Sequence, residues 1–430
     1  MVPLPDPVSR LVRSIGGGLG RGFWTLLSAS FLANLSDGIF WIALPLLAVG
    51  LTDSPALVAG VMVASRLPWL VFALFAGALA DRLDRRRTMI AVDAARVVLL
   101  VGLTVAVVTG TATIWLVYIV AFVLGCLETM FDMAASSMLP TVVGADRVVA
   151  ANSRLFAVET GMNQFVGPPV GGFLAAIAIS AAFGTAAAGY LGALLCLLTL
   201  RGSFRPQRDG PPTSMATEIQ AGLSYLAQNR LLRTMALVVA PMNLGSTAIW
   251  GVFVLYAVAP GPLGLDEIGF GLLTTSLAVG TVLGMLLASR LDRWLGRPNL
   301  FVACILALLV QDLVYIVVPD AIAIGVTLAL TGAVTGSFNV IFGSLRQRIV
   351  PNHLLGRVMA SFRIISWGSL PLGALLGGLI GETFGLTAVF LFAAAVHGLL
   401  LFSRLVLNDR FMAEVEEQAR ANVAAAGGAA

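Results

Sequence analysis

The chain has 430 residues, of which 58% are hydrophobic and 11% charged, against about 25% charged residues in an ordinary soluble domain. With a mean hydropathy of +0.95, the apolar residues fall in runs that approach the ~20 residues needed by a membrane-spanning helix. That excludes a disordered chain, a secreted disulfide scaffold and, despite a net charge of +4, a nucleic-acid binder.

Apolar runs suited to membrane helices cover residues 23–50, 54–80, 88–109, 112–137, 151–178, 181–200, 232–258, 267–289, 299–318, 321–345, 359–381 and 386–407, which predicts an all-α polytopic protein of twelve spans. The first run follows Arg10, Arg13 and Arg21. It is too long for a signal-peptide core and is broken by Asn34 and Asp37, so it is expected to stay in the mature protein. If the N-terminus is cytoplasmic, the connections on that side hold Arg82, Arg85, Arg86, Arg87, Arg147, Arg201, Arg205, Arg208, Arg230, Arg290, Arg293, Arg297, Arg346, Arg348 and Arg357. The opposite connections hold only acids, namely Asp53, Asp266, Glu267, Asp320 and Glu382. The positive-inside rule therefore places both termini in the cytoplasm.

The organisation read from these runs is an N-terminal segment 1–22, a six-helix bundle 23–200, a polar central loop 201–231, a second bundle 232–407 and a tail 408–430. The central loop opens with Pro206, Pro211 and Pro212 and continues from Glu218 as a short amphipathic surface helix. The tail decays into Ala/Gly low complexity expected to be disordered. Cys126, Cys196 and Cys304 each sit inside an apolar run and lack paired spacing, so they read as packing residues. His353 and His397 are the two histidines, too few for a metal or catalytic centre. No metal, cofactor or enzymatic activity is expected, and no nucleotide-binding motif is present.

Two pieces of the first half recur in the second, the mark of internal duplication. Arg82-Leu-Asp-Arg85 returns as Arg290-Leu-Asp-Arg293, a shift of 208 (82 to 290). Gly167-x-x-x-Gly171-Gly172 returns as Gly373-x-x-x-Gly377-Gly378, a shift of 206 (167 to 373). The sequence at this point resembles the major facilitator superfamily over residues 20–407. The loop from Gly77 through Asp81, Arg82, Arg85 and Arg86 is similar to its signature loop, with Asp84 where the family usually has glycine. Gly167-Pro168-Pro-Val-Gly171-Gly172 is similar to an element of proton-coupled drug exporters, with Asn163 in place of an expected glycine. Residues 218–226, 231–233 and 349–358 resemble the bacterial branch of macrolide-efflux and enterobactin-exporter-like proteins. The arginine followed by glycine that is usual in the fourth span of proton antiporters is absent.

An ionisable group inside hydrocarbon costs a few kcal/mol and calls for a partner. Asp37 and Arg66 both lie about 14 residues, roughly 21 Å, from the cytoplasmic ends of the first two spans. That predicts a pair, which either locks two helices or leaves Asp37 free to titrate in the cavity. Arg96, Glu128 and Glu159 share a depth of about 12–15 Å, with Asp132 one turn from Glu128 on the same face. This second group is either a proton-coupling device or a static polar brace. By resemblance the first, fourth, seventh and tenth spans would line a central cavity. Asn34, Asp37, Trp41, Glu128, Asn243, Thr247, Thr331, Thr335 and Asn339 would then form the substrate surface, with interhelical hydrogen bonding the alternative role for the threonines and asparagines. Asp312, on the ninth span, is expected to be peripheral and structural. Gly167, Gly171, Gly172, Gly373 and Gly377 form small-residue faces, and Pro168 and Pro371 are positions where a span can bend.

The sequence reading is therefore a monomeric twelve-helix secondary transporter working by alternating access. The resemblance implies export of an amphipathic drug-like or siderophore-like small molecule in exchange for protons, with Asp81 of the signature loop gating the cytoplasmic side. The alternative is a transporter or facilitator of an endogenous metabolite or lipid without proton coupling; an integral-membrane enzyme is a remote third.

Overall fold

A computed structural model describes residues 19–71, 84–144, 147–200, 215–350 and 354–405. Gly77, Asp81 and Arg82 of the signature loop, His353, residues 201–214 of the central loop, and most of the terminal segments lie outside the described residues.

In chain order the helices are α1 (Gly20–Leu51), α2 (Pro55–Val71), α3 (Arg85–Val108), α4 (Ile114–Val143), α5 (Val148–Thr160), α6 (Gly167–Ile177) and α7 (Ile179–Thr199). They continue with α8 (Met215–Gln228), α9 (Arg230–Ala257), α10 (Glu267–Leu295), α11 (Arg297–Val317), α12 (Ala321–Ile349), α13 (Leu355–Phe384) and α14 (Leu386–Leu400). Every apolar run of the sequence coincides with a helix, and among the described residues ten helices are long and apolar enough to cross a membrane. The second run is described only as far as Val71. The fifth, expected as one continuous span, is divided by a π-helical turn over Gly161–Val166. Pro168, in the first turn of α6, has no N–H to continue an α-helical ladder, and a π turn is one way for the backbone to absorb that loss.

The acids of the non-arginine connections have a local task. Asp266 and Asp320 cap α10 and α12, accepting from the backbone N–H groups of Gly269 at 2.7 Å and Ala323 at 2.8 Å. Negative charge is favourable at a helix N-terminus, where N–H groups lack intrahelical partners. Asp84, the departure from the signature-loop pattern, caps α3 through the Arg87 N–H at 3.0 Å. At the same end of α3 Arg86 donates to the Leu197 and Leu198 carbonyls at 3.1 and 2.9 Å, closing the C-terminus of α7 with a cation. The predicted amphipathic surface helix is α8, and its Leu226 joins the buried cluster that includes Leu231, Val358 and Phe362.

By their contacts the residues form two compact units. One comprises residues up to Ala43, Val71–Ala112 and Val120–Arg208; the other comprises Leu44–Leu70, Thr113–Ile119 and Asp209 onwards. This grouping places α2 with the second half of the chain rather than with the sequence bundle 23–200.

Lipid tails are as apolar as leucine, so helices in hydrocarbon associate through close van der Waals packing at small residues and through hydrogen bonds. Between α10 and α12 this is carried to backbone contact. A Cβ on Gly284 would overlap the Ala333 carbonyl, one on Gly336 would overlap that of Thr281, and Ser337 Oγ donates to the Gly284 carbonyl at 2.7 Å. Gly167 and Gly171 play the same part between α6 and α1, where an added Cβ would meet Gly38 and Ile39. Gly373 and Gly377 play it between α13 and α9, against Leu244 and Ala248. Replacing Gly284 with leucine is expected to separate α10 from α12 and to cost at least the 1–3 kcal/mol typical of overpacking. Gly102→Leu, where a Cβ meets nothing within 4 Å, should leave the detergent melting temperature nearly unchanged; equal losses from the two substitutions would refute the packing role.

Candidate functional site

Arg96 on α3 is fully buried, as is Asp93 one turn before it. Their side chains meet at 3.4 Å. The guanidinium lies over two rings, 5.0 Å from Phe131 of α4 and 4.9 Å from Tyr190 of α7, where the negative faces of the rings favour a cation. Tyr190 in turn donates its hydroxyl to Asp37 Oδ1 on α1, and Asp37 is 7% exposed. Three helices, α1, α3 and α7, thus meet at one sealed knot containing two carboxyl groups, one guanidinium and one phenol. The close fit of α1 against the π turn, where a Cβ on Gly38 would overlap the Asn163 carbonyl, fixes the height of Asp37 beside this knot.

A second layer stands on one side of it. Arg96 interacts electrostatically with Glu128, and Asp132 with Glu128, Glu159, Asp37 and Arg96. Glu128, Asp132 and Glu159 are half-buried, so the carboxylates grade from partly accessible to sealed. The predicted grouping of Arg96, Glu128, Asp132 and Glu159 is what the structure brings together. Asp37 has Arg96 as a charge partner and Tyr190 as its hydrogen-bond donor. Asp93 and Tyr190 were missed. A charged residue three positions from Arg96 inside an apolar run was a readable signal for Asp93; nothing local distinguishes Tyr190.

The polar stripes of the second half are largely turned on themselves or on neighbouring helices. Asn243 donates to the Ser366 carbonyl of α13 at 2.6 Å and Thr331 to the Ala307 carbonyl of α11 at 3.2 Å. Thr247 and Thr335 donate back to Asn243 and Thr331 of their own helices at 2.6 and 2.8 Å, and in the first half Asn34 donates to Ser30 at 2.8 Å. Trp41 is half-buried and Asn339 exposed. Arg363 of α13 is flanked by Trp69 and Trp367, with its guanidinium 4.8 and 3.8 Å from the ring centres. At the far end of the same helix, Glu382 accepts from Ser54 Oγ at 2.6 Å and from the Ala56 N–H at 3.2 Å, holding the start of α2.

A buried charge cluster and close glycine contacts thus hold together helices long and apolar enough to cross a membrane. The fold has solved counterparts: the nucleoside transporter NupG, at TM-score 0.71 and 15% identity, covering 90% of this chain and 99% of that one, and a bacterial homologue of the lysosomal transporter Spinster, at TM-score 0.62 and 14% identity, covering 94% and 97%. The family model MFS_3, transmembrane secretion effector, matches residues 20–426, and the chain belongs to that family. Among similar sequences are the multidrug efflux pump Tap of Mycolicibacterium fortuitum, 29% identical over 85% of this chain and 90% of the relative, and the enterobactin exporter EntS of Salmonella paratyphi A, 24% identical over 90% and 91%.

Removing the cation from the sealed knot leaves Asp37 and Asp93 without compensation. Arg96→Leu is expected to lower stability by about 3–5 kcal/mol, the usual penalty for breaking a buried charge arrangement on one side, while adding Asp93→Leu should recover part of the loss. Melting of the two variants in detergent decides; a double variant less stable than Arg96→Leu would show that Arg96 and Asp93 do not compensate each other.

Proposed function

We propose that this transporter is a proton-coupled exporter of amphipathic, drug-like or siderophore-like small molecules, acting as a monomer in the bacterial plasma membrane with both termini cytoplasmic. The observation that carries the proton coupling is a charge count. One guanidinium, Arg96, faces two sealed carboxyl groups, Asp37 and Asp93, and arginine keeps its charge throughout the accessible pH range. With both carboxyl groups ionised the knot would hold an uncompensated negative charge in a poorly polarisable surrounding, so one of them carries a proton. The half-buried Glu128, Asp132 and Glu159 supply a route by which that proton exchanges with the cavity as the helices move.

The substrate class is supported by the names of the Tap and EntS relatives, a multidrug efflux pump and an enterobactin exporter. Alternating access further requires a gate at each end. Asp81 and Arg82 of the signature loop are assigned to the cytoplasmic gate, and the Glu382 clamp on Ser54 and Ala56 to the opposite one.

Two experiments test this reading. In everted vesicles, drug accumulation by the unmodified protein should depend on an imposed pH gradient. Asp37→Asn should abolish gradient-driven accumulation while leaving exchange of labelled for unlabelled drug without a gradient at no less than about a third of the original rate. Loss of both activities in a well-folded variant, or accumulation indifferent to the gradient, would overturn proton coupling through Asp37. For the outer gate, Ser54→Cys with Glu382→Cys in a background lacking the native cysteines should lose transport when bridged by a short bis-thiol reagent and regain it on reduction; transport undiminished by complete bridging would remove the gate assignment.

A further inference from the structure

A second buried titratable junction lies in the other half of the chain, and nothing in the coupling scheme uses it. His397 on α14 and Asp312 on α11 are 0% and 2% exposed, with Nδ1 2.6 Å from Oδ2. The other ring nitrogen, Nε2, lies 3.2 Å from the Met242 carbonyl oxygen on α9. The ring is packed tightly against α9, since a Cβ on Gly245 would come within 2.9 Å of Nε2.

The hydrogen count follows from these partners. A carbonyl oxygen only accepts, so Nε2 carries a hydrogen. The contact between Nδ1 and a carboxyl oxygen at 2.6 Å is a hydrogen bond only with a second proton between them. The ring and carboxyl together hold two protons and are electrically neutral. Release of one to water would leave a net charge of −1 buried among apolar helices, which is costly while the site stays sealed. The neighbouring titratable groups do not supply a cation: Tyr315, one turn along α11, accepts from Gln311, and Tyr256 of α9 donates to the Tyr315 carbonyl. α12 presents Thr331, whose hydroxyl is committed to the Ala307 carbonyl.

The location repeats that of the first junction. Asp37, Arg96 and Tyr190 join the first, third and sixth spans of the N-terminal half; Met242, Asp312 and His397 join the first, third and sixth spans of the C-terminal half. His397 follows Tyr190 by 207 positions (190 to 397), between the shifts of 206 and 208 that relate the two repeats. Asp312 stands on the equivalent helix to Asp93, though not at the equivalent turn. Met242 immediately precedes Asn243, whose amide ties α9 to α13, so a movement of α9 that breaks that tie also moves the carbonyl holding Nε2–H.

We propose that Asp312 and His397 form a second proton-binding site, the C-terminal counterpart of the Asp37–Tyr190 junction, which in this conformation holds its proton as an imidazolium–carboxylate pair. The site stands independently of proton coupling by Asp37. Its ligand is a proton taken from water when the junction is open and retained when it is sealed.

The test uses the full chain in lipid nanodiscs with 15N-labelled histidine. His353→Gln leaves His397 as the sole histidine, so its ring nitrogens are read without overlap. At pH 7.5 both should be protonated, and adding Asp312→Asn should convert the ring to a singly protonated form with hydrogen on Nε2. A singly protonated ring with Asp312 intact would overturn the proposal, and so would a doubly protonated ring in the Asp312→Asn variant. If that variant does not fold, the measurement on the intact pair still decides. None of these outcomes depends on whether Asp37→Asn uncouples efflux.

Discussion

The burial of Arg96 is the constraint around which the N-terminal unit is arranged. A guanidinium with no exposed surface in a membrane protein must be met on every side by negative charge or by the faces of aromatic rings. Asp93 comes from its own helix, Phe131 from α4, Tyr190 from α7 and Asp37 from α1. Four spans are therefore positioned by one cation. Their approach also depends on glycine, because Asp37 reaches the knot only if α1 can lie against the π turn and α6 at Gly38, Gly167 and Gly171. Packing and electrostatics are in this sense one requirement, since a side chain larger than hydrogen at these glycines would move Asp37 away from Tyr190.

The same requirement explains why much of the fold was legible in the sequence. Hydrocarbon forces every spanning segment to satisfy its own backbone, so apolar run length places the helices with little interference from tertiary context. The duplicated glycine pattern was equally readable. Gly167 with Gly171 and Gly373 with Gly377 sit at corresponding places in the repeat, and each pair receives the first helix of its own half. The division of the fifth run was not read, although Pro168 and the nearby Gly161 and Gly167 are the residues that mark it. Length alone made the run look continuous.

The site was legible by depth but not by azimuth. Counting residues from a helix end gave Asp37, Arg66, Arg96, Glu128 and Glu159 heights only. It could not say that Asp37 faces α3 and α7, because rotation about a helix axis is fixed by neighbours that sequence spacing does not identify. Tyr190 and His397 show the limit most clearly. Each is one polar tip in an apolar run, and each has its partner far away, 153 residues from Tyr190 to Asp37 and 85 from His397 to Asp312. Comparison across the repeat was the available route to both, since a tyrosine and a histidine 207 positions apart (190 to 397) occupy the same junction.

Duplication gave the two halves one geometry, and substitution gave them different chemistry. In the N-terminal junction the positive charge is an arginine and permanent, so protonation neutralises the carboxyl groups around a fixed cation. In the C-terminal junction the positive charge would be a histidine, present only while a proton is bound, so losing the proton removes the cation itself. Under the proposed coupling the first arrangement passes a proton to the half-buried Glu128, Asp132 and Glu159. Among the described residues the second has tyrosines and a threonine around it and no such carboxylate series. An exporter that takes up protons on one face and delivers them on the other needs one site that exchanges readily; a second that holds its proton until α9 moves would tie the packing of the C-terminal half to the same ion.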